Sequence, residues 1–155
     1  MMSTGGQRDY ALGKAVAGMP PLSTIQGTRV TATPVIAIVD DDVSVRHAMG
    51  RLVRSLDMAV ELYGGGPELL QSPSIGDIDC VITDVQMPGM NGFALCDALR
   101  TNGHRMPVIF MTAFAQEGYE QRARDAGAAC FLNKPFQDTD IIDCIENALQ
   151  MRPGG

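Results

Sequence analysis

The stretch V-I-A-I-V-D-D-D, Val35 to Asp42, decides how the rest of the chain is read. Five apolar residues without alternation have strand length and no polar face, so both sides of this strand belong in the interior. The run then breaks into three carboxylates. Beyond them Val45, Ala48, Met49, Leu52 and Leu56 recur at helical spacing, with Arg46, Arg51 and Arg54 left for the opposite face. A buried strand, an acidic turn and an amphipathic helix form the first unit of a pattern.

The pattern continues down the chain. Ala59 to Tyr63 reads as a second strand closed by Gly64, Gly65 and Gly66, and Glu68 to Gln71 as a short helix. Cys80 to Thr83 is a third strand ending at Asp84, and Phe93, Leu95, Ala98 and Leu99 mark a helix stopped by Asn102 and Gly103. Val108 to Met111, a helix over Gln116 to Ala126, a strand over Ala129 to Leu132 and a last helix with the stripe Ile141, Ile142, Ile145 and Leu149 complete five strand and helix pairs. Continuous apolar strands alternating with helices require a parallel sheet covered on both faces, and right-handed crossovers make it a doubly wound α/β fold. In such sheets ligands bind outside the carboxyl ends of the strands. The polar groups there are Asp40, Asp41 and Asp42, then Asp84, Thr112 and Lys134.

Composition supports one domain. The chain has 155 residues, 45% of them apolar, and a formal charge of -6; that length suits a single core. Residues 1–33 carry three basic residues against one acidic, and the later residues nine against seventeen. Glycines and the Pro20-Pro21 pair leave no apolar period in residues 1–33, which read as a disordered or loosely attached arm, with residues 34–150 as the domain and 151–155 as a tail. No apolar central region follows a basic start, so a secretory signal is not expected. No apolar run is long enough to span a bilayer, and the absence of a basic run argues against direct nucleic-acid binding. Cys80, Cys96, Cys130 and Cys144 show no C-x-x-C spacing, and reduced thiols in a cytoplasm are the simplest expectation.

Each strand-end group has an ordinary reading when taken alone. One Asp of Asp40 to Asp42 can cap the following helix, Asp84 can open a loop before Pro88, and Thr112 can be a plain strand residue. Together the carboxylates at neighbouring strand ends repel one another in a partly dehydrated cleft, and a hard divalent cation relieves that repulsion. All-oxygen donors without Cys or His fit magnesium rather than zinc or copper. Lys134 stands out because it is the only lysine after residue 33, where eight arginines carry the other positive charges. Pro135 restricts it to an extended backbone, and its compact charge suits a phosphoryl group.

These residues resemble the response-regulator receiver domain of bacterial two-component signalling. V-I-A-I-V-D-D-D with Arg46, I-T-D-V-Q-M-P-G-M-N-G, M-T-A and N-K-P-F occur in family order from about Pro34 to Leu149. The resemblance implies a flavodoxin-like, chemotaxis-regulator-like sheet with strand order 2-1-3-4-5. It also implies that Asp84 accepts phosphate from a sensor histidine kinase or phosphotransfer protein, with Mg2+ as cofactor. By position, Asp41, Asp84 and the main-chain carbonyl of Gln86 are the direct magnesium ligands, and Asp40 acts mostly through water. Lys134 and Thr112 assist the transfer, Thr112 and Phe131 form the switch, and Gln86 and Phe114 influence phosphate lifetime. Lys134–Pro135 matches a junction that is typically cis. Output by protein contact is expected, including a homodimer formed on phosphorylation.

Two rival functions are distinguishable from the same residues. One is the receiver half of a helix-turn-helix transcription regulator, against which stands the expectation that only Gln150 to Gly155 follows the last helix. The other is a haloacid-dehalogenase-type hydrolase, which also uses an aspartate nucleophile and magnesium but wants an Asp two residues later, where this chain has Gln86.

Overall fold

A computed structural model describes residues 33–151. The expected arm up to residue 32 and all of the tail but Met151 lie outside the described residues. In chain order the elements are β1 (Val35–Val39), α1 (Val43–Arg54), β2 (Ala59–Tyr63), α2 (Gly66–Leu70), a 3-10 turn (Ile75–Asp77), β3 (Cys80–Asp84), α3 (Gly92–Thr101), β4 (Val108–Thr112), α4 (Tyr119–Asp125), β5 (Cys130–Asn133) and α5 (Asp138–Met151). All neighbouring strands pair in parallel in the order β2-β1-β3-β4-β5. This is the doubly wound arrangement that the apolar runs predict.

Alternation along buried strands divides the core into two layers. Ala37, Val39, Val81, Val108 and Phe110 share one apolar cluster with Leu69, Leu95, Leu99 and Ala123, from α2, α3 and α4. Ile36, Ile38, Ile82, Ile109 and Met111 share the other with Met49, Val53, Ile141 and Ile145, from α1 and α5. β1 is apolar throughout, and β3 and β4 are apolar up to Ile82 and Met111, because each face there meets helices, whereas the edge strand β2 carries Glu61 and is only partly buried.

Helix ends follow the expected chemistry. The Asp42 carboxylate caps α1 by accepting from the amides of Ser44 and Val45. At the end of α3, Gly103 adopts φ 86°, and His104 N–H reaches the Leu99 carbonyl at 2.9 Å while Gly103 N–H reaches that of Arg100, the closing pattern of a glycine-terminated helix.

Several expectations are corrected. Ala48 is exposed, and Val53 takes the core position instead, because Met49 and Val53 one turn apart face the sheet and the alanine methyl offers little area to bury. The fourth helix starts at Tyr119 rather than Gln116, after Gly118 at φ 88°. The larger correction concerns the cysteines: Cys130 and Cys144 are joined in a disulfide, and only Cys80 and Cys96 are free. They are 14 residues apart, and β5 and α5 bring their Cα atoms to 5.9 Å, ordinary spacing for a disulfide. Spacing in sequence carries no trace of that approach.

Among the described residues no helix is long and apolar enough to cross a membrane.

Candidate acidic site at the strand ends

Sheet order brings the site together. β1 lies beside β3 with Val39 opposite Thr83, so Asp40 and Asp84 follow on adjacent strands. β4 and β5 pair with Thr112 opposite Asn133, which puts Lys134 one residue beyond Thr112. The Lys134 amide donates to the Thr112 carbonyl at 2.8 Å, and the Lys134–Pro135 peptide is cis. From there the ammonium spans the cleft, 3.3 Å from Asp40 Oδ2 and 3.5 Å from Asp84 Oδ2.

Asp40 is fully buried, and its partners account for it. Oδ1 accepts from the Asp42 amide at 2.9 Å, Oδ2 faces Lys134, and the Asp40 carbonyl accepts from Arg46 at 2.7 Å. Asp41 is exposed. Asp84 accepts from the Gln86 amide at 3.2 Å. Asp40, Asp41 and Asp84 each offer an oxygen within 4.8 Å of the others. Three carboxylates facing one ammonium leave two negative charges uncompensated, the charge of one divalent cation. The donors are all oxygen, so the residues present fit Mg2+ and not a soft metal. Both Asp40 oxygens and both Asp84 oxygens already have a polar partner, Asp40 is fully buried and Asp84 only partly, and Asp41 is the exposed member of the set.

Gln86, Ala113 and Phe114 complete a cleft of about 290 Å³ with Asp40, Asp41, Asp42, Asp84 and Lys134. Phe114 is 70% exposed at its rim. The Gln86 side chain is not loose: its amide donates to the Tyr119 hydroxyl at 3.1 Å, tying the loop after β3 to α4. Tyr119 packs edge-on against Phe93. Sequence reasoning passed over Tyr119, since nothing local to it signals a partner 33 residues away. Thr112 is buried and outside the cleft lining; its Oγ1 accepts from the Phe114 amide at 3.2 Å. Phe131 sits apart, half-buried over the α4 side of the sheet beside Ala123 and Arg124. His47 is exposed and joins no metal cluster among the described residues.

Burial holds the Asp84 carboxyl above its ordinary range; Lys134 opposes the shift, Asp40 adds to it and the Gln86 amide opposes it. A carboxyl whose folded pKa is raised costs stability while ionised. That cost is complete above the folded pKa and vanishes below the unfolded one. In chelator, Asp84→Asn is therefore expected to melt higher than wild type at pH 7, with a gap that narrows as pH falls through the window between the two pKa values. Melting curves of both proteins from pH 7 to pH 4 check this; a gap that does not change with pH would refute it.

A doubly wound sheet with carboxylates and one lysine at its strand ends defines the class: an α/β domain with an acidic, cation-fitting cleft. The particular family follows from comparison with known proteins. The family model described as "Response regulator receiver domain" matches residues 36–146, and the chain belongs to that family, a class of signalling module in two-component systems. It is similar to nodulation protein W of Bradyrhizobium diazoefficiens, at 31% identity over 79% of this chain and 54% of that one. It is similar to the C4-dicarboxylate transport transcriptional regulatory protein DctR of Rhodobacter capsulatus, at 38% over 77% and 61%. The solved chemotaxis protein CheY4 of Vibrio cholerae superposes with a TM-score of 0.70 at 27% identity, covering 76% of this chain and 100% of that one. The chain spans little more than half the length of the curated relatives.

Proposed function

We propose that the chain is a phosphorylation-dependent signalling module in which Asp84 accepts a phosphoryl group from a phosphohistidine donor, with Mg2+ in the acidic cleft. The observation that carries this reading is the position of Lys134, whose single charge lies between Asp40 and Asp84 at the mouth where a phosphoryl oxygen would arrive. In the transfer, an Asp84 oxygen bonds to phosphorus while the bond from phosphorus to the donor's imidazole nitrogen breaks and its electron pair stays on the imidazole. Magnesium, when bound, supplies charge neutralisation between carboxylates and phosphoryl oxygens. Asp41, Asp84 and the Gln86 carbonyl are the residues to hold it, and Asp40 acts through water. Lys134 stabilises the spreading negative charge, and the strand ends hold Asp84 in line, so the domain assists its own phosphorylation by positioning and electrostatics. The donor is a sensor histidine kinase or phosphotransfer protein. The test is intact-mass measurement after incubation with a small phosphodonor and Mg2+, with Asp84→Asn as control; labelling of that variant would sink the assignment.

Thr112 is the switch. Its hydroxyl must turn from the Phe114 amide to reach the phosphoryl group, and this movement opens space for Phe131. Thr112→Val should still be phosphorylated while the response around Phe131 weakens. Amide chemical shifts on phosphorylation check this, and undiminished changes at β5 in the variant would refute it.

Phe114 screens the phosphoryl group. An apolar ring at the rim limits water, and Gln86, held by Tyr119, is no general base. Loss of the phosphorylated mass after donor removal should be faster in Phe114→Ala and Phe114→Glu than in wild type; equal decay would reject the role.

A second reading concerns output only. DctR is described as a transcriptional regulatory protein, and this chain matches about three-fifths of it. The receiver half of a transcription regulator would use the same phosphorylation chemistry, with DNA binding supplied by a further domain. The genomic reading frame downstream decides between that and a module acting by protein contact or phosphorylation-dependent homodimerisation.

A further inference from the structure

The bond between Cys130 and Cys144 encloses the segment that carries Phe131, Lys134 and the cis Lys134–Pro135 peptide. Cys130 is the first residue of β5 and Cys144 lies inside α5, so the bond closes the strand, the loop and the first half of the helix into one ring. We propose that Cys130 and Cys144 are a reversible redox site, exchanging with low-molecular-weight thiols and disulfides, whose state sets the stiffness of the segment that presents Lys134 and Phe131.

Three observations support this. The two residues differ in exposure, Cys144 at 5% and Cys130 partly exposed, which makes Cys130 the end of the bond for an incoming thiolate. The bond is also not what docks α5. Ile141, Ile145 and Ala148 are fully buried in one apolar cluster with Ile109 and Met111, so contacts other than the bond hold the helix on the sheet. The remaining cysteines are poor competitors: Cys80 and Cys96 are buried, and burial pushes the Cys80 thiol up to about 12.

The chemistry balances with a monothiol as reductant. Its thiolate attacks Cys130 Sγ, the bond to Cys144 breaks, and Cys144 leaves as a thiolate that takes a proton. A second thiolate attacks the sulfur newly joined to Cys130, releasing the small disulfide and the Cys130 thiolate, which is protonated in turn. Two electrons and two protons pass to the protein. Oxidation by a small disulfide runs the same steps in reverse. Intracellular disulfides are usually transient and redox-sensing, which fits a signalling module better than a permanent staple. That link to signalling rests on the proposed function; the exchange itself does not.

The test uses the full chain equilibrated with glutathione at stepped ratios of oxidised to reduced, then quenched with acid, unfolded, alkylated and mapped by mass spectrometry. Cys130 and Cys144 should be labelled together in one two-electron transition, with Cys80 and Cys96 labelled at every ratio. The closed form should melt about 5–10 °C higher than the open form and exchange amide hydrogens more slowly over residues 131–137. Cys144→Ala, which places a small apolar group in the same cluster, should lose this redox dependence while staying folded, and Cys130→Ala should do the same. Independent titration of the two sulfurs, a pair that stays shut in the folded protein at every ratio, or identical melting and exchange in both states would overturn the proposal. Phosphoryl incorporation is measured in parallel on both forms. If neither form is labelled while the paired titration holds, the proposed function fails and the redox site stands.

Discussion

Asp84→Asn is expected to take up no phosphoryl group from a small phosphodonor in the presence of Mg2+, while wild type gains the mass of one. The amide is isosteric with the carboxylate and keeps an acceptor for the Gln86 amide, but it is no longer a nucleophile. Two further variants grade the effect. Asp41→Ala removes an exposed carboxylate within 4.8 Å of Asp40 and Asp84, so it weakens the cation site without opening the core. Loss of outer partners at metal sites costs about 10- to 100-fold, and a direct ligand should cost at least the upper end of that range in labelling rate. Lys134→Ala removes the ammonium that lies 3.3 Å from Asp40 and 3.5 Å from Asp84 and should cost about 100- to 1,000-fold, as loss of a preorganised charge donor does elsewhere. That variant also strips a buried carboxylate of its partner, so its fold is verified by near-UV dichroism before the rate is read. Chelation should reduce wild type to the level of Asp41→Ala or below. Labelling that survives chelator would separate the site from any metal.

The second large effect comes from a contact that no chemistry-bearing side chain makes. A Cβ on Gly92 would lie 2.5 Å from the Asp84 carbonyl oxygen and 3.1 Å from Val85 Cα. Both are backbone, so neither can swing aside as a long side chain would. Gly92 N–H also donates to the Val85 carbonyl at 2.8 Å, pinning the start of α3 to the end of the strand that carries Asp84. Gly92→Ala must push that helix and that strand end apart, an overpacking cost of about 1–3 kcal/mol. The melting temperature should fall by roughly 5–15 °C. Phosphorylation should slow by more than the stability loss alone explains, because displacing a reacting group by about 1 Å can cost on the order of 100-fold. Gly76→Ala is the control: an added Cβ there meets nothing within 4 Å, and no change is expected. Calorimetry and the labelling rate check both variants. A Gly92→Ala protein that melts within about a degree of wild type would refute the contact, given the sensitivity of melting to about 1 kcal/mol.

These two effects differ in how far they could be read in advance. Asp84 was visible because it ends an apolar run, and the end of a buried strand in a doubly wound sheet is where ligands gather. Gly92 was visible only as the last residue of the stretch I-T-D-V-Q-M-P-G-M-N-G. Its role depends on α3 starting against β3, a distance between two elements. Asp42 shows both readings at once: it lines the cleft, and its carboxylate caps α1.

What the sequence by itself determined is the set of strands, their parallel pairing and the residues at their carboxyl ends. Continuous apolar runs such as Val35–Val39 admit burial on two faces only, and the polar residues that close such runs fall at or just beyond the strand ends. What the tertiary structure decided lies between elements. The Cys130–Cys144 bond, the Gln86 amide on the Tyr119 hydroxyl, the burial of Thr112 and the choice of Val53 over Ala48 each depend on how helices sit on the sheet. Apolar periodicity reports which side of an element is buried, with a tolerance of about one residue. It holds no information on which side chain of a distant element fills the space opposite, because that is set by packing the whole core at once.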